Sequence, residues 1–256
     1  MQKCRAIFAK QLAALVVDLD SNAIQKAYDP KRKAIDPDKL LSLANFDEYK
    51  EELSKALQPL YFNIITTTGY SAMAELAMNG ADVPTFDPYK KNIQDWFIGK
   101  ANKVGGDVNA ETEKQLRTTL ADGIAANEST IELRARIEDV MGFASTRRAD
   151  NIARTESARA QTYADIAAWK QSGVVVEKRW YTARDERVCP YCSFMDGTIE
   201  KVGINYFNKG DKLEVDYTTA GGKATTGTLN FGYDSIKGAP LHSSCRCVLI
   251  PILSAI

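Results

Sequence analysis

The sequence predicts an α+β protein: a mostly helical N-terminal region followed by a small antiparallel β region closed by a structural zinc clip. Three observations carry this. Apolar residues recur at helical spacing to about residue 172. After Gly173 the pattern shortens to alternation, with β-branched and aromatic residues. Cysteine and histidine then gather in two short motifs.

The chain has 256 residues, 45% hydrophobic and 26% charged, which suffices for a packed core. Its 33 basic and 33 acidic residues cancel, so a polycationic nucleic-acid coat is excluded as a global property. No apolar run approaches the roughly 20 residues a membrane span needs, and no membrane partner is expected. The start, Met1-Gln2-Lys3-Cys4-Arg5, looks like the head of a secretory signal, but Asp18 and Asp20 interrupt the apolar run that should follow. No signal is expected, so the thiols should meet a reducing compartment. The single histidine excludes any mechanism that needs two.

The elements follow in order. Residues 4–27 are amphipathic, with Ile7, Leu12, Leu15, Val16 and Ile24 near one face. Asp36-Pro37 reads as an N-cap with proline in the first turn. Asp47 to Met78 stays helical, with Pro59 an expected break or kink, Gly69 a weak point and Asn79-Gly80 a stop. A helix is expected from Tyr89 to Asn102, ended by Gly105-Gly106, and another from an Asn109 cap to about Ala126. Ser129-Thr130-Ile131-Glu132 is a capping box for a helix ending near Gly142. Ser145 is expected to cap the last long helix, and Gly173 to close it. Strands are expected at 174–182, at 212–219 paired with 224–233 through an Ala220–Lys223 turn, and at 248–253. The domain division expected is 1–104, a helical N-terminal region, and 105–256, helices to about 172 and then the β region.

Five cysteines are present: Cys4, Cys189, Cys192, Cys245 and Cys247. Cys189-Pro190-Tyr191-Cys192 and His242-Ser243-Ser244-Cys245-Arg246-Cys247 each place two ligands three residues apart, as a tight turn presents them to one ion. Amides in such a turn point at the sulfurs. Thiolates and imidazole in a tetrahedral array suit Zn²⁺. Five ligand candidates are one too many for four corners. Cys189, Cys192, His242 and Cys245 are favoured, Cys247 can stand in for Cys245, and a set in which Cys247 replaces His242 stays open. A redox C-x-x-C would start a helix of a βαβ unit, whereas this pair is expected between strand-like segments. Asp185-Glu186 is read as a solvated pair. The P-loop, G-x-G-x-x-G, H-E-x-x-H and G-x-S-x-G motifs are absent. Arg147, Arg148, Arg154 and Arg159 form the one local basic strip, either a solvated helix face or a contact for phosphates.

The order Arg154-Thr155-Glu156, Gly173, Trp180, Asp185-x-x-Val188-Cys189-x-x-Cys192, Asp196-Gly197 and Pro240-Leu241-His242-x-x-Cys245-Arg246-Cys247 resembles the C-terminal domain of the phage Mu protein F-like family, over roughly residues 147–252. The resemblance implies a minor head, or head morphogenesis, protein of a tailed bacteriophage or prophage. It implies a place in the virion or procapsid near the portal protein, contacts with capsid or scaffold proteins and with double-stranded DNA, and no enzyme activity. DNA binding should be weak and non-specific on a chain of zero net charge. The competing reading is a zinc-dependent nuclease or a toxin-type transferase. The resemblance would make Arg154 and Glu156 fixed positions; helical spacing turns them to different faces, so they need not act together, and a buried arginine–carboxylate pair bracing the helix against the β region is the expected role.

Overall fold

The computed structural model describes residues 21–29, 34–126, 128–143 and 148–254, with a few scattered positions before residue 21. Cys4, Ser145, Arg147 and most of the 4–27 stretch lie outside the described residues. The chain divides into two compact units, one from Met1–Phe62 and Lys91–Ala153, the other from Asn63–Lys90 and Arg154–Ile256.

The first unit contains α1 (Ser21–Lys26), a two-residue pairing of β1 (Tyr28–Asp29) with β2 (Ala34–Ile35), α2 (Pro37–Leu41), the first half of α3 (Phe46–Met78), α4 (Lys91–Ala125) and α5 (Thr130–Phe143). Local chemistry starts these helices. The Asp36 carboxylate accepts from the amides of Asp38 and Lys39. At α5 the capping box is closed both ways: the Ser129 amide donates to Glu132 at 2.7 Å, and the Glu132 amide to Ser129 Oγ at 3.4 Å. Ala23, Ala27, Leu40, Leu41, Tyr49, Leu116, Leu120, Leu133 and Ile137 form the core between them.

Two expected breaks are not breaks. Pro59 lies inside α3, which continues to Met78. The missing amide costs one backbone bond, and burial of Leu53, Leu57, Tyr61 and Ile65 along the same helix outweighs it. The segment from Lys91 to Ala125 is likewise one helix that runs through Gly105-Gly106. Ile93, Ala101, Val104, Val108, Leu116 and Leu120 give it an unbroken buried stripe. Gly105 is there for proximity: a Cβ would stand 2.8 Å from the Lys50 carbonyl oxygen. Asn109 is therefore no cap; its amide donates to the Phe46 carbonyl at 2.9 Å. Asn79-Gly80 does stop α3, with Gly80 at φ +86° and the Ala81 amide reaching back to Leu76.

The second unit holds the rest of α3, α6 (Ala149–Ser172, shared at its first turns with the other unit), β3 (Val175–Tyr181), the short α7 (Pro190–Met195), β4 (Ile199–Lys201), β5 (Lys212–Thr218), β6 (Ala224–Asn230) and β7 (Val248–Leu253). Gly173 ends α6 at φ +71°. Two antiparallel sheets result, ordered β4-β3-β7 and β5-β6. Trp180 and Lys178 lie on the covered face of β3 and are both fully buried. Trp180 exchanges backbone bonds with Thr198 and Gly197, on the β4 side. By alternation Arg179 turns its groups toward β7, so Pro251, opposite Lys178, faces the open edge without an N–H. That edge is poorly suited to pairing with another strand.

Candidate metal centre

The first half of the site hangs on α7. Cys189 is the N-cap of that helix, in an extended conformation with φ −75° and ψ 158°, and its sulfur accepts from the Cys192 amide at 3.4 Å. The C-x-x-C thus opens a short helix, where a turn between strands was expected. Pro190, with its fixed φ and no amide, suits the first helical position. Amide-to-sulfur bonding follows the expectation. The hairpin supports this half from behind: Tyr191 packs on the backbone of Gly227 in β6, where any Cβ would collide with its hydroxyl.

The second half is the loop entering β7. Ser244 takes φ +60° between the two ligand candidates, so the chain doubles back and the Cys245 amide bonds to the His242 carbonyl at 3.3 Å. The Ser244 amide donates to Thr155 Oγ1 of α6 at 3.4 Å. Cys245 and Cys247 are buried while Arg246 between them points outward. Arg246 grips Asp185 with two bonds of 2.7 and 2.5 Å, tying this loop to the segment that leads into Cys189. The Arg246 guanidinium and the Arg187 amide hold the Asp185 carboxyl well below the usual carboxylate range.

The two halves meet. His242 Nε2 is 3.1 Å from Cys189 Sγ and 3.2 Å from Cys192 Sγ, and Cys192 Sγ is 3.6 Å from Cys245 Sγ. His242 Nδ1 lies 2.7 Å from the Ser243 carbonyl, which fixes the proton on Nδ1 and leaves the Nε2 lone pair facing the sulfurs. Two triads lie with all ligand atoms within 4.8 Å: Cys189, Cys192, His242 and Cys192, Cys245, Cys247. A tetrahedral zinc site has S···S edges of about 3.8 Å and S···N edges of about 3.5 Å. The closest approaches here fall within a few tenths of an ångström of those edges, so each triad could supply three corners of such a site, with Cys192 common to both. The recess they line, with Ala183, Arg187 and Val188 at its rim, is about 40 Å³.

Charge makes the same point. A hydrogen bond with Cys192 and another with Cys247 pull the Cys245 thiol far down, while the bond with Cys245, the bond with Cys247 and burial push Cys192 up. Thiolate charge on more than one of these buried sulfurs would need a cation among them.

The buried arginine–carboxylate pair expected on this helix uses Arg159 and not Arg154. Arg154 is exposed, and buried Glu156 is held by Arg159 at 2.5 Å, three residues on. Arg159 in turn lies 5.3 Å above the Tyr233 ring, whose hydroxyl donates to the Leu241 carbonyl just before His242. The bracing role survives with a different arginine. Helical spacing agrees with this, since 156 and 159 are three apart and neighbour one another whereas 154 and 156 are two apart and do not. Arg148 is also committed: it donates to Thr112 Oγ1 and the Val108 carbonyl at 2.9 and 3.0 Å. Of the four arginines in the basic strip, two are engaged internally, Arg147 lies outside the described residues, and Arg154 is exposed.

Residues 114–250 match the family described as Phage Mu protein F like protein. The chain belongs to that family. Both halves of the cluster fall inside the matched segment, as do Thr155, Glu156, Trp180 and Asp196. This Mu F-like family is a structural one of phage head morphogenesis, not known for enzymatic activity, and it associates with the head of the virion. No curated protein and no solved structure matches the chain. Among the described residues no helix is long and apolar enough to cross a membrane.

Proposed function

We propose that this Mu F-like chain is a minor head protein of a tailed bacteriophage or prophage, acting by binding and assembly at the portal of the procapsid. The family match over residues 114–250 carries this reading. Capsid or scaffold proteins are the other partners, and packaged double-stranded DNA is a weak, non-specific one. The division of labour follows the sequence: residues 1–104 as the variable helical part, 105–256 as the Mu F-like part. This is a functional boundary and not a break in the backbone, since α4 passes through it.

The metal in this reading is Zn²⁺, held by four of Cys189, Cys192, His242, Cys245 and Cys247. Its work is structural. It ties the start of α7 to the entry of β7, some fifty residues later, where the two small sheets alone bury little apolar surface. The chain's own residues prepare the site: α7 aims two sulfurs, Ser243 orients the imidazole, and the Arg246–Asp185 fork holds the two loops together.

The test is assembly in the host. Procapsids made with a tagged copy should contain the chain, and cross-linking before DNA packaging should join it to the portal protein. Particles of normal composition that lack the chain would overturn the proposal. So would metal-dependent DNA cleavage by the purified protein that is lost in Asp185→Ala or Glu186→Ala.

A further inference from the structure

The sheet ordered β4-β3-β7 has one covered face and one open one. Lys178 and Trp180 fill the covered face, so alternation places Glu177, Arg179 and Tyr181 on the other. The strand register completes that face. Ile199 of β4 and Ile250 of β7 flank Arg179, Lys201 and Ile252 flank Glu177, and Val248 stands beside Tyr181. Ile199, Val248 and Ile250 keep 44%, 53% and 40% of their surface exposed. One end is closed, where Arg184 lies 4.7 Å from the Tyr181 ring centroid and bonds to Asp196 at 3.0 Å. The remainder is an uncovered apolar surface around two charges, the kind of patch that marks an interaction site.

Those two charges lack partners. Among the described residues neither Arg179 nor Glu177 makes a side-chain hydrogen bond or an ion pair. Pairing at the sheet edges is poorly supported: Pro251 withdraws an N–H on the β7 side, and β4 on the other side has three residues. The face is the surface left for an occupant.

We infer that this face is an interface between two copies of the chain, packed sheet on sheet about a twofold axis. The face is self-complementary, as such symmetry demands. An axis crossing β3 at right angles over Lys178 sets the strands of one copy antiparallel over those of the other. It brings Arg179 of each copy onto Glu177 of the partner subunit, so the ion pair forms twice. It also brings Ile250 onto Ile252 of the partner subunit, and Ile199 onto the methylene stem of Lys201 of the partner subunit. The apolar rows leave water, and the crossed charges fix the register. Three strands span roughly 14 Å at the usual spacing, so the face is smaller than the roughly 800 Å² per partner of a standard interface. The pairing is therefore weak and concentration-dependent. This inference goes beyond the head role proposed above and depends neither on it nor on the metal.

Sedimentation equilibrium of the full chain, under reducing conditions and over a concentration series into the millimolar range, tests it. The weight-average mass should climb from one chain toward two. Arg179→Glu and Glu177→Arg should each weaken the dimer at least about tenfold, because like charges then meet at both crossings. The double variant, with the charges exchanged, should return to within a few-fold of the wild type. An equimolar mixture of the two single variants should also associate about as the wild type does, since opposite charges face each other at both crossings. Ile250→Asp should weaken the dimer through the apolar row. Unchanged thermal melting of the charge variants at low concentration separates a lost interface from a lost fold. A chain that stays monomeric throughout overturns the inference. So does a dimer that the charge reversals leave unchanged, which places the contact on another surface, and so does a mixture that associates no better than its components.

Discussion

Lys178 shows how much one buried residue can constrain. It has no exposed surface, and its ammonium donates to the carbonyls of Lys201 and Ile204 at 2.8 and 2.6 Å above the Tyr206 ring. Burial, against the pull of Glu200, lowers its pKa to about 8. The folded chain therefore releases this proton earlier than the unfolded chain, whose lysine keeps its ordinary value near 10.5. Between those values the unfolded state binds more protons, so stability should rise with pH upward from about 8. Tyr206, raised by burial, pulls the other way only above pH 10 or so. Denaturant unfolding between pH 7.5 and 9.5 should show the rise, and Lys178→Met should abolish it. That variant strands two carbonyls and should cost about 2 kcal/mol at neutral pH. Gly227 is a second such position. Gly227→Ala pushes a methyl into the Tyr191 hydroxyl, which should cost about 1–3 kcal/mol. Because Tyr191 lies between two ligands, metal affinity should fall with the melting temperature, read by calorimetry and cobalt titration of the same sample.

Among the elements, the adjacent glycines of α4 make a controlled comparison. Both stand mid-helix, where alanine is ordinarily the better residue by about 0.5–1 kcal/mol. At Gly106 a Cβ meets only the flexible Cε of Lys50 at 3.7 Å, so Gly106→Ala should stabilise by about that amount. At Gly105 the Cβ would stand 2.8 Å from a backbone oxygen that cannot move without displacing α3. Gly105→Ala should destabilise by about 1–3 kcal/mol. Equal melting shifts for the two variants would show that α3 and α4 do not approach there. The same logic explains Gly69, where a Cβ would run into the Phe86 ring. All three glycines mimic helix breakers locally and turn out to serve helix packing or tolerate it.

At the scale of the whole molecule, metal and nucleic acid should act on different parts. Purified protein should carry about one zinc, and chelation should strip hydrogen-exchange protection from α7, β5, β6 and β7 while α4 and α5 keep theirs. Global loss of protection, or none, would contradict a clip confined to the Arg154–Ile256 portion. DNA binding should be weak because little of the basic strip is free to contact phosphate. Each neutralised phosphate adds about 0.9 to the slope of log affinity against log salt. Replacing both Arg147 and Arg154 by alanine should flatten the slope, whereas Arg148→Ala should destabilise the fold by freeing Thr112 and Val108. Tight or salt-insensitive binding in a titration would refute this.

The sequence by itself determined what short-range forces decide. The Asp36 cap, the Ser129–Glu132 box, the Gly173 stop, the hairpin around Gly222 and the strand from Val248 to Leu253 follow from periodicity and from backbone groups satisfied within a few residues. The two cysteine and histidine motifs that meet in the cluster were legible for the same reason, as was the family pattern they belong to. Only the tertiary structure decided which partner each group takes across longer spans: Thr112 for Arg148, the Lys50 carbonyl for Gly105, and Cys192 as the sulfur common to both triads. Those choices depend on burial and on close approach between segments tens of residues apart. Spacing along the chain carries no information about which side of a helix the rest of the molecule will cover.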